Sequence, residues 1–120
     1  LTGYEINKST NNVYVFRKFQ TNKGNKIKTG TDLFVNNNYK LYNIPEINIG
    51  ENVKFEDKVN LITNNENDKI IIEDNVTIKA GSTILPGVHI GANSTILEGS
   101  VVTEDLPDYS MVNGIPAKII

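Results

Sequence analysis

From Ile70 to Asp105 an aliphatic residue returns at every sixth position: Ile72, Ile78, Ile84, Ile90, Ile96 and Val102. A second series, Ile70, Val76, Ser82, Val88, Ser94 and Ser100, leads it by two residues and is small or branched. Residues two apart on an extended chain share a face, so each hexad points two side chains inward. An amphipathic helix repeats at about 3.6 residues and a half-buried strand at about 2, and neither sustains a strict period of six. Short parallel strands with a corner after each do sustain it. The pattern therefore predicts an all-β solenoid, a parallel β-helix.

The period begins upstream of that stretch. Ile47, Val53 and Val59 lead, Ile49, Phe55 and Leu61 follow two residues later, and Leu41 fits the same phase. Three coils of eighteen residues are predicted, at 47–64, 70–87 and 88–105, with the polar insert Asn65 to Lys69 projecting as a loop between the first two. Gly50, Gly81, Gly87, Gly91 and Gly99, with Asn52, Asn75 and Asn93, fall at or beside the corners, where backbone reversals favour them. After Asp105 the pattern breaks at Leu106-Pro107, since proline cannot donate to a strand ladder. The tail carries a turn at Gly114-Ile115-Pro116, ends apolar at Ile119-Ile120, and is expected to fold back over the last coil.

Over residues 1 to about 40 no hexad holds. Val13-Tyr14-Val15-Phe16 reads as a strand and Asn22 to Gly30 as a turn or loop. A solenoid needs its open end covered, and this segment is expected to be that cap. The organisation predicted is an irregular N-terminal cap over 1–46, a β-helix over 47–105 and a tail over 106–120.

Composition narrows the chemistry. A chain of 120 residues with 38% hydrophobic and 22% charged positions is one domain's worth. The net charge of −2 offers no broad footprint for nucleic acid or an anionic membrane, and Lys23, Lys26 and Lys28 read as a solvated cluster. With no cysteine and one histidine, a disulfide framework, a thiol nucleophile and a three-histidine metal cage within one chain are excluded, so no metal is expected. No run reaches the roughly 20 apolar residues of a membrane span and no signal peptide opens the chain, so a cytoplasmic location is expected. The start at Leu1 in place of Met fits a fragment of a longer chain.

Four ordered stretches carry a family resemblance: Ile72-Glu73-Asp74-Asn75-Val76-Thr77-Ile78, Ile84-Leu85-Pro86-Gly87-Val88-His89-Ile90-Gly91, Gly99-Ser100-Val101-Val102-Thr103-Glu104-Asp105-Leu106-Pro107, and Asn113-Gly114-Ile115-Pro116-Ala117-Lys118. Over about 47–120 they resemble the C-terminal part of hexapeptide-repeat acyltransferases, in the style of the maltose, galactoside and polysaccharide-sugar O-acetyltransferases. The resemblance implies a left-handed parallel β-helix assembled as a homotrimer. It implies acetyl-CoA as acyl donor and a hydroxyl or amino group of a sugar or similar small molecule as acceptor. The donor would lie in a groove between subunits, and the matching positions here are Ala80, Gly81, Glu98, Gly99, Thr103 and Lys118. Lys79 and Leu97 stand where the family usually has Gly, and Glu98 where it has a small residue.

Acyl transfer from a thioester needs a base for the attacking hydroxyl and donors aimed at the developing oxyanion. In the resembled family a histidine is the base, just after the coil that here ends in Val59-Asn60-Leu61-Ile62-Thr63. Alignment on that coil places Glu66, or Asn65, at the position. Two candidates for the base follow. Glu66 is a carboxylate that burial would make basic enough, with a solvated loop glutamate as the plainer reading. His89 is the sole histidine, but alternation turns it outward between the inward Val88 and Ile90, as a surface or subunit-contact residue would be. A base in a missing N-terminal portion is the third possibility. The alternative to an enzyme is a non-catalytic trimeric β-helix scaffold or an inactive homologue.

Overall fold

The computed structural model describes residues 4–10, 13–19, 28–29, 33–37, 47–63 and 68–120. In chain order the strands are β1 (Tyr4–Thr10), β2 (Val13–Phe19), β3 (Lys28–Thr29) and β4 (Leu33–Asn37). The first full coil follows as β5 (Ile47–Ile49), β6 (Lys54–Phe55) and β7 (Val59–Thr63). The second is β8 (Ile70–Ile72), β9 (Thr77–Ile78) and β10 (Thr83–Ile84). The third is β11 (His89–Ile90), β12 (Thr95–Ile96) and β13 (Val101–Val102), and β14 (Met111–Gly114) and β15 (Ala117–Ile119) end the chain. The strands stack into three sheets: face 1 holds β5, β8 and β11; face 2 holds β3, β6, β9, β12, β14 and β15; face 3 holds β1, β2, β4, β7, β10 and β13. Each coil visits the three faces in turn, as the period of six predicts.

Register explains where the pattern is regular and where it slips. Ile71 pairs with His89 and Thr77 with Thr95, each one regular coil further on. Ile47 pairs with Ile70, where the regular spacing would have brought it to Asn65, and the polar insert is absorbed in the difference. Downstream, Leu106 bridges Ile90 and Met111 pairs with Thr95, where regular spacing would have brought Asp108 and Asn113. This coil is shorter than those before it, so Leu106 and Val112 repeat the places of Ile90 and Ile96 out of frame. The tail therefore does more than fold back: it begins a fourth coil, and only β15 returns, antiparallel on β14.

The N-terminal segment also departs from expectation. Four described strands lie in 1–46, where one was foreseen. Lys28 pairs parallel with Lys54 and Leu33 with Val59, each further along the chain than a regular coil reaches, so β3 and β4 continue faces 2 and 3 upstream as a partial coil. The strand predicted at Val13 to Phe16 is part of β2, which pairs antiparallel with both β1 and β4 and extends face 3 beyond the helical stack.

The core is a set of columns. Ile49, Ile72 and Ile90 line face 1, Phe55, Ile78, Ile96 and Val112 line face 2, and Val35, Leu61, Ile84 and Val102 line face 3, all buried. Burying each such side chain contributes about 1.5–3 kcal/mol. Ser82, Ser94, Ser100 and Ser110 are buried among them. A buried hydroxyl is costly without a partner, and each has one. Ser82 Oγ donates to the Leu97 carbonyl at 3.0 Å and Ser110 Oγ to the Pro107 carbonyl at 2.6 Å. Ser94 Oγ accepts from the Ser110 amide at 3.1 Å, and Ser100 Oγ accepts from the Gly114 amide at 3.2 Å.

The corners use left-handed backbone. Between faces 1 and 2 the column is Asn52, Asn75, Asn93 and Tyr109, with φ of 56°, 60°, 60° and 63°. Asn52 Nδ2 donates to Asn75 Oδ1 at 2.9 Å. Between faces 2 and 3 it is Lys58, Gly81 and Gly99, with φ of 57°, 72° and 69°. Lys58 adopts there what its neighbours reach without a Cβ penalty. Lys58→Gly is expected to raise stability by about 0.5–1 kcal/mol, read as a higher midpoint in thermal circular dichroism. An unchanged or lower midpoint would show that the Lys58 side chain offsets its own strain.

Candidate active site

The corner between faces 2 and 3 brings together four of the residues expected to hold the donor. Ala80 and Gly81 form it in the second coil and Glu98 and Gly99 in the third, joined by a hydrogen bond from the Gly99 amide to the Ala80 carbonyl at 3.0 Å. A Cβ added to Gly81 or Gly99 would meet nothing within 4 Å, so the corner's outer surface is open. Glu98 is exposed on the same edge. Lys79, unexpected beside this corner, is turned along face 2, where its Nζ lies 3.6 Å from Glu56 Oε2 in the coil below. The positive φ of Gly81 and Gly99 already favours glycine there, independent of any ligand.

Lys118 joins this edge at its downstream end. It pairs with Asn113 across β14 and β15, and Asn113 with Gly114 lies against Ser100, next to Gly99. Thr103 does not join it. It is exposed after β13, at the corner leading from face 3 to face 1. Of the two candidate bases, Glu66 lies outside the described residues.

His89 is turned outward on face 1, as alternation predicts. Its Nε2 lies 3.0 Å from Glu73 Oε2, and the two side chains are 43% and 48% exposed. Its backbone is held from the coil above: the His89 amide donates to Asp105 Oδ1 at 2.9 Å, and the His89 carbonyl accepts from the Leu106 amide at 2.9 Å. Glu73 and Asp105 escaped the sequence reading. The coil spacing held the signal, because one regular coil sets His89 beside Ile71 and Glu73 stands two places further on the same outward side. Asp105 needs the shortened fourth coil to arrive there, which the hexad count alone hides. Among the described residues no group of three or more His, Asp or Glu side chains is arranged to hold a metal ion.

Residues 69–104 match the family model described as bacterial transferase hexapeptide (six repeats). A galactoside O-acetyltransferase of Lactococcus lactis subsp. lactis (strain IL1403) is 34% identical over 122 residues, covering 90% of this chain and 59% of its own length. A 2,3,4,5-tetrahydropyridine-2,6-dicarboxylate N-acetyltransferase of Clostridium perfringens (strain SM101 / Type A) is 56% identical over 50 residues, covering 42% of this chain and 21% of its own length. Among solved structures, the serine acetyltransferase of Neisseria gonorrhoeae superposes with a TM-score of 0.59 at 27% identity, over 79% of this chain and 38% of that one. The chain thus spans a little under two thirds of its galactoside relative and much less of the others. Its fold is the left-handed parallel β-helix of these enzymes. Residues 69–104 thus carry the bacterial transferase hexapeptide repeat, and over most of its length the chain is similar to acetyltransferases built on that repeat.

Proposed function

We propose that this chain is the repeat portion of an acetyl-CoA-dependent O-acetyltransferase whose acceptor is a hydroxyl group of a sugar or saccharide precursor. One observation carries the choice of O- over N-transfer. The likeness to the galactoside O-acetyltransferase runs over 90% of the chain, whereas the likeness to the N-acetyltransferase is confined to 42% of it. The shared repeat supports acetyl transfer, and the extended match supports the acceptor class.

The corner residues fit the donor in part. An open glycine edge at Gly81 and Gly99 lets a narrow, neutral pantetheine arm lie against backbone, and the Lys118 ammonium at its end suits a phosphate. Glu98 is the discordant group, since its carboxylate disfavours an anion beside it. That residue favours the second reading, a β-helix scaffold without catalysis, as does the lack of a histidine between Thr63 and Ile70.

The acetyltransferase reading calls for more than one copy. On a three-sided stack the corner between faces 2 and 3 lies opposite face 1, so the donor edge and His89 face away from each other in one chain. Two copies side by side bring the edge of one to face 1 of the next. The C-terminal end supports association through its apolar surface: Tyr109, Met111, Ile115, Ile119 and Ile120 are all exposed there. A homotrimer is the assembly we infer.

Calorimetric titration of the purified chain with acetyl-CoA tests the proposal. Saturable heat and a raised unfolding midpoint are expected, because a ligand at about 100 times its Kd adds about 2.7 kcal/mol to the native state. No heat and no thermal shift at millimolar acetyl-CoA would reject the enzyme reading for this chain and leave the scaffold.

A further inference from the structure

We propose that Glu73 is the positioning residue of a His89 general base, and that acyl transfer takes place over face 1 between the second and third coils. The inference rests on the acetyltransferase reading above and gives it a base, which the loop before Ile70 does not supply as histidine.

The geometry has three parts. The ring is the only imidazole in the sequence, and at 43% side-chain exposure it is open to an acceptor from solvent or from a neighbouring copy. One ring nitrogen is committed, because Nε2 lies 3.0 Å from Glu73 Oε2 and an ionised carboxylate only accepts hydrogen bonds. Nε2 therefore carries a proton, and in the neutral ring Nδ1 holds the lone pair. Among the described residues Nδ1 makes no hydrogen bond. The backbone of His89 is fixed from the coil above by Asp105 Oδ1 and the Leu106 amide, both at 2.9 Å. A carboxylate orienting an imidazole whose other nitrogen faces outward is the arrangement a histidine base requires. An exposed ion pair adds little to stability, so removing Glu73 leaves the fold intact and isolates its effect on chemistry.

In the proposed step the acceptor's hydroxyl oxygen attacks the thioester carbonyl carbon. Its proton passes to His89 Nδ1 as the carbon–oxygen bond forms. The carbon–sulfur bond then breaks, and the departing sulfur takes the proton back from the ring, so acceptor ester and free thiol leave with all protons accounted for. Glu73 steadies the imidazolium that exists between the two transfers.

The test uses the full chain with acetyl-CoA and a galactoside acceptor, with thiol release as the readout, in wild type, Glu73→Gln and His89→Gln. His89→Gln is expected to lower kcat by about 100-fold or more. Glu73→Gln is expected to lower it at least about tenfold while KM for acetyl-CoA stays within about twofold, as loss of orientation without loss of binding predicts. Added imidazole should restore part of the activity of His89→Ala. Nitrogen NMR of the ring supplies a second readout: the neutral wild-type ring should be the Nε2–H tautomer, and Glu73→Gln should give a mixture. Turnover in the wild type that both variants match overturns the dyad and leaves the acetyltransferase reading standing. A wild-type ring in the Nδ1–H tautomer, or a chain that binds acetyl-CoA yet releases no thiol, also overturns it. A wild type that does not bind acetyl-CoA overturns both.

Discussion

Ile84→Glu is expected to leave the chain unfolded at room temperature, whereas Ile84→Ala still folds with a lower midpoint. Ile84 is 0% exposed on β10, paired through its strand to Leu61 on one side and Val102 on the other. Truncation to alanine removes buried methylenes and leaves a cavity in the middle of a column, at a cost of about 2–5 kcal/mol. Glutamate adds an unpaired charge where the neighbours are Ile, Leu and Val, and an uncompensated buried charge costs several kcal/mol more. The usual total stability of a domain is about 5–15 kcal/mol, so alanine stays below that total and glutamate approaches or exceeds it. The same substitution at Ile71, half-buried and one strand position from the buried Ile72, should be nearly silent, because alternation turns it outward. Far-UV circular dichroism and sedimentation of the three variants check this. A folded Ile84→Glu chain would mean that the face 3 column opens to solvent.

That contrast also marks what could be read from the residues. Wherever consecutive coils keep the regular spacing of three hexads, as from Ile71 to His89, the inward and outward positions follow from counting. The count fails where a corner changes length. The partial coil of β3 and β4 stands further from its partners than three hexads and the fourth coil stands nearer, so Leu33 and Leu106 fall out of frame although they sit on the same ladders. A period of six is a statement about local geometry, and insertions at corners cost the ladders little. They erase the phase without disturbing the stack.

The candidate site was legible to a lesser degree for a related reason. Ala80, Gly81, Glu98 and Gly99 are set by one regular spacing and meet at one corner. His89 was visible as the single histidine. Its partners Glu73 and Asp105 arise from diagonal and short-coil contacts, which depend on register between coils and not on the sequence within one. Lys58 gave no sign of its left-handed backbone, because only its place below the glycines of its corner column imposes it.

Gly91→Ala is the second substitution with a large expected effect, and it tests the clamp on His89 together with the fold. Its cause is close approach and not backbone angle. A Cβ at Gly91 would sit 2.5 Å from the Asp108 amide nitrogen and 2.6 Å from the Pro107 carbonyl carbon. Both are backbone atoms of the fourth coil, so no side-chain rotation relieves the clash. The coil is also pinned there, since the Gly91 amide donates to the Leu106 carbonyl at 2.8 Å and the Ala92 amide to Asp108 Oδ1 at 2.9 Å. Displacing it strains or breaks these bonds, and overpacking of this kind costs about 1–3 kcal/mol. Gly81→Ala is the control: its Cβ meets nothing within 4 Å and it carries only the strain of a φ of 72°, about 1 kcal/mol. The unfolding midpoint should therefore fall by several degrees more in Gly91→Ala than in Gly81→Ala. Asp108→Ala removes one cap yet leaves the two backbone atoms in place, so most of the Gly91→Ala penalty should persist in that background. If Asp108→Ala abolishes the penalty, the obstacle is the carboxylate and the backbone can yield. If it persists, the segment that holds Asp105 and Leu106 against His89 is rigid, as a base fixed from the coil above requires.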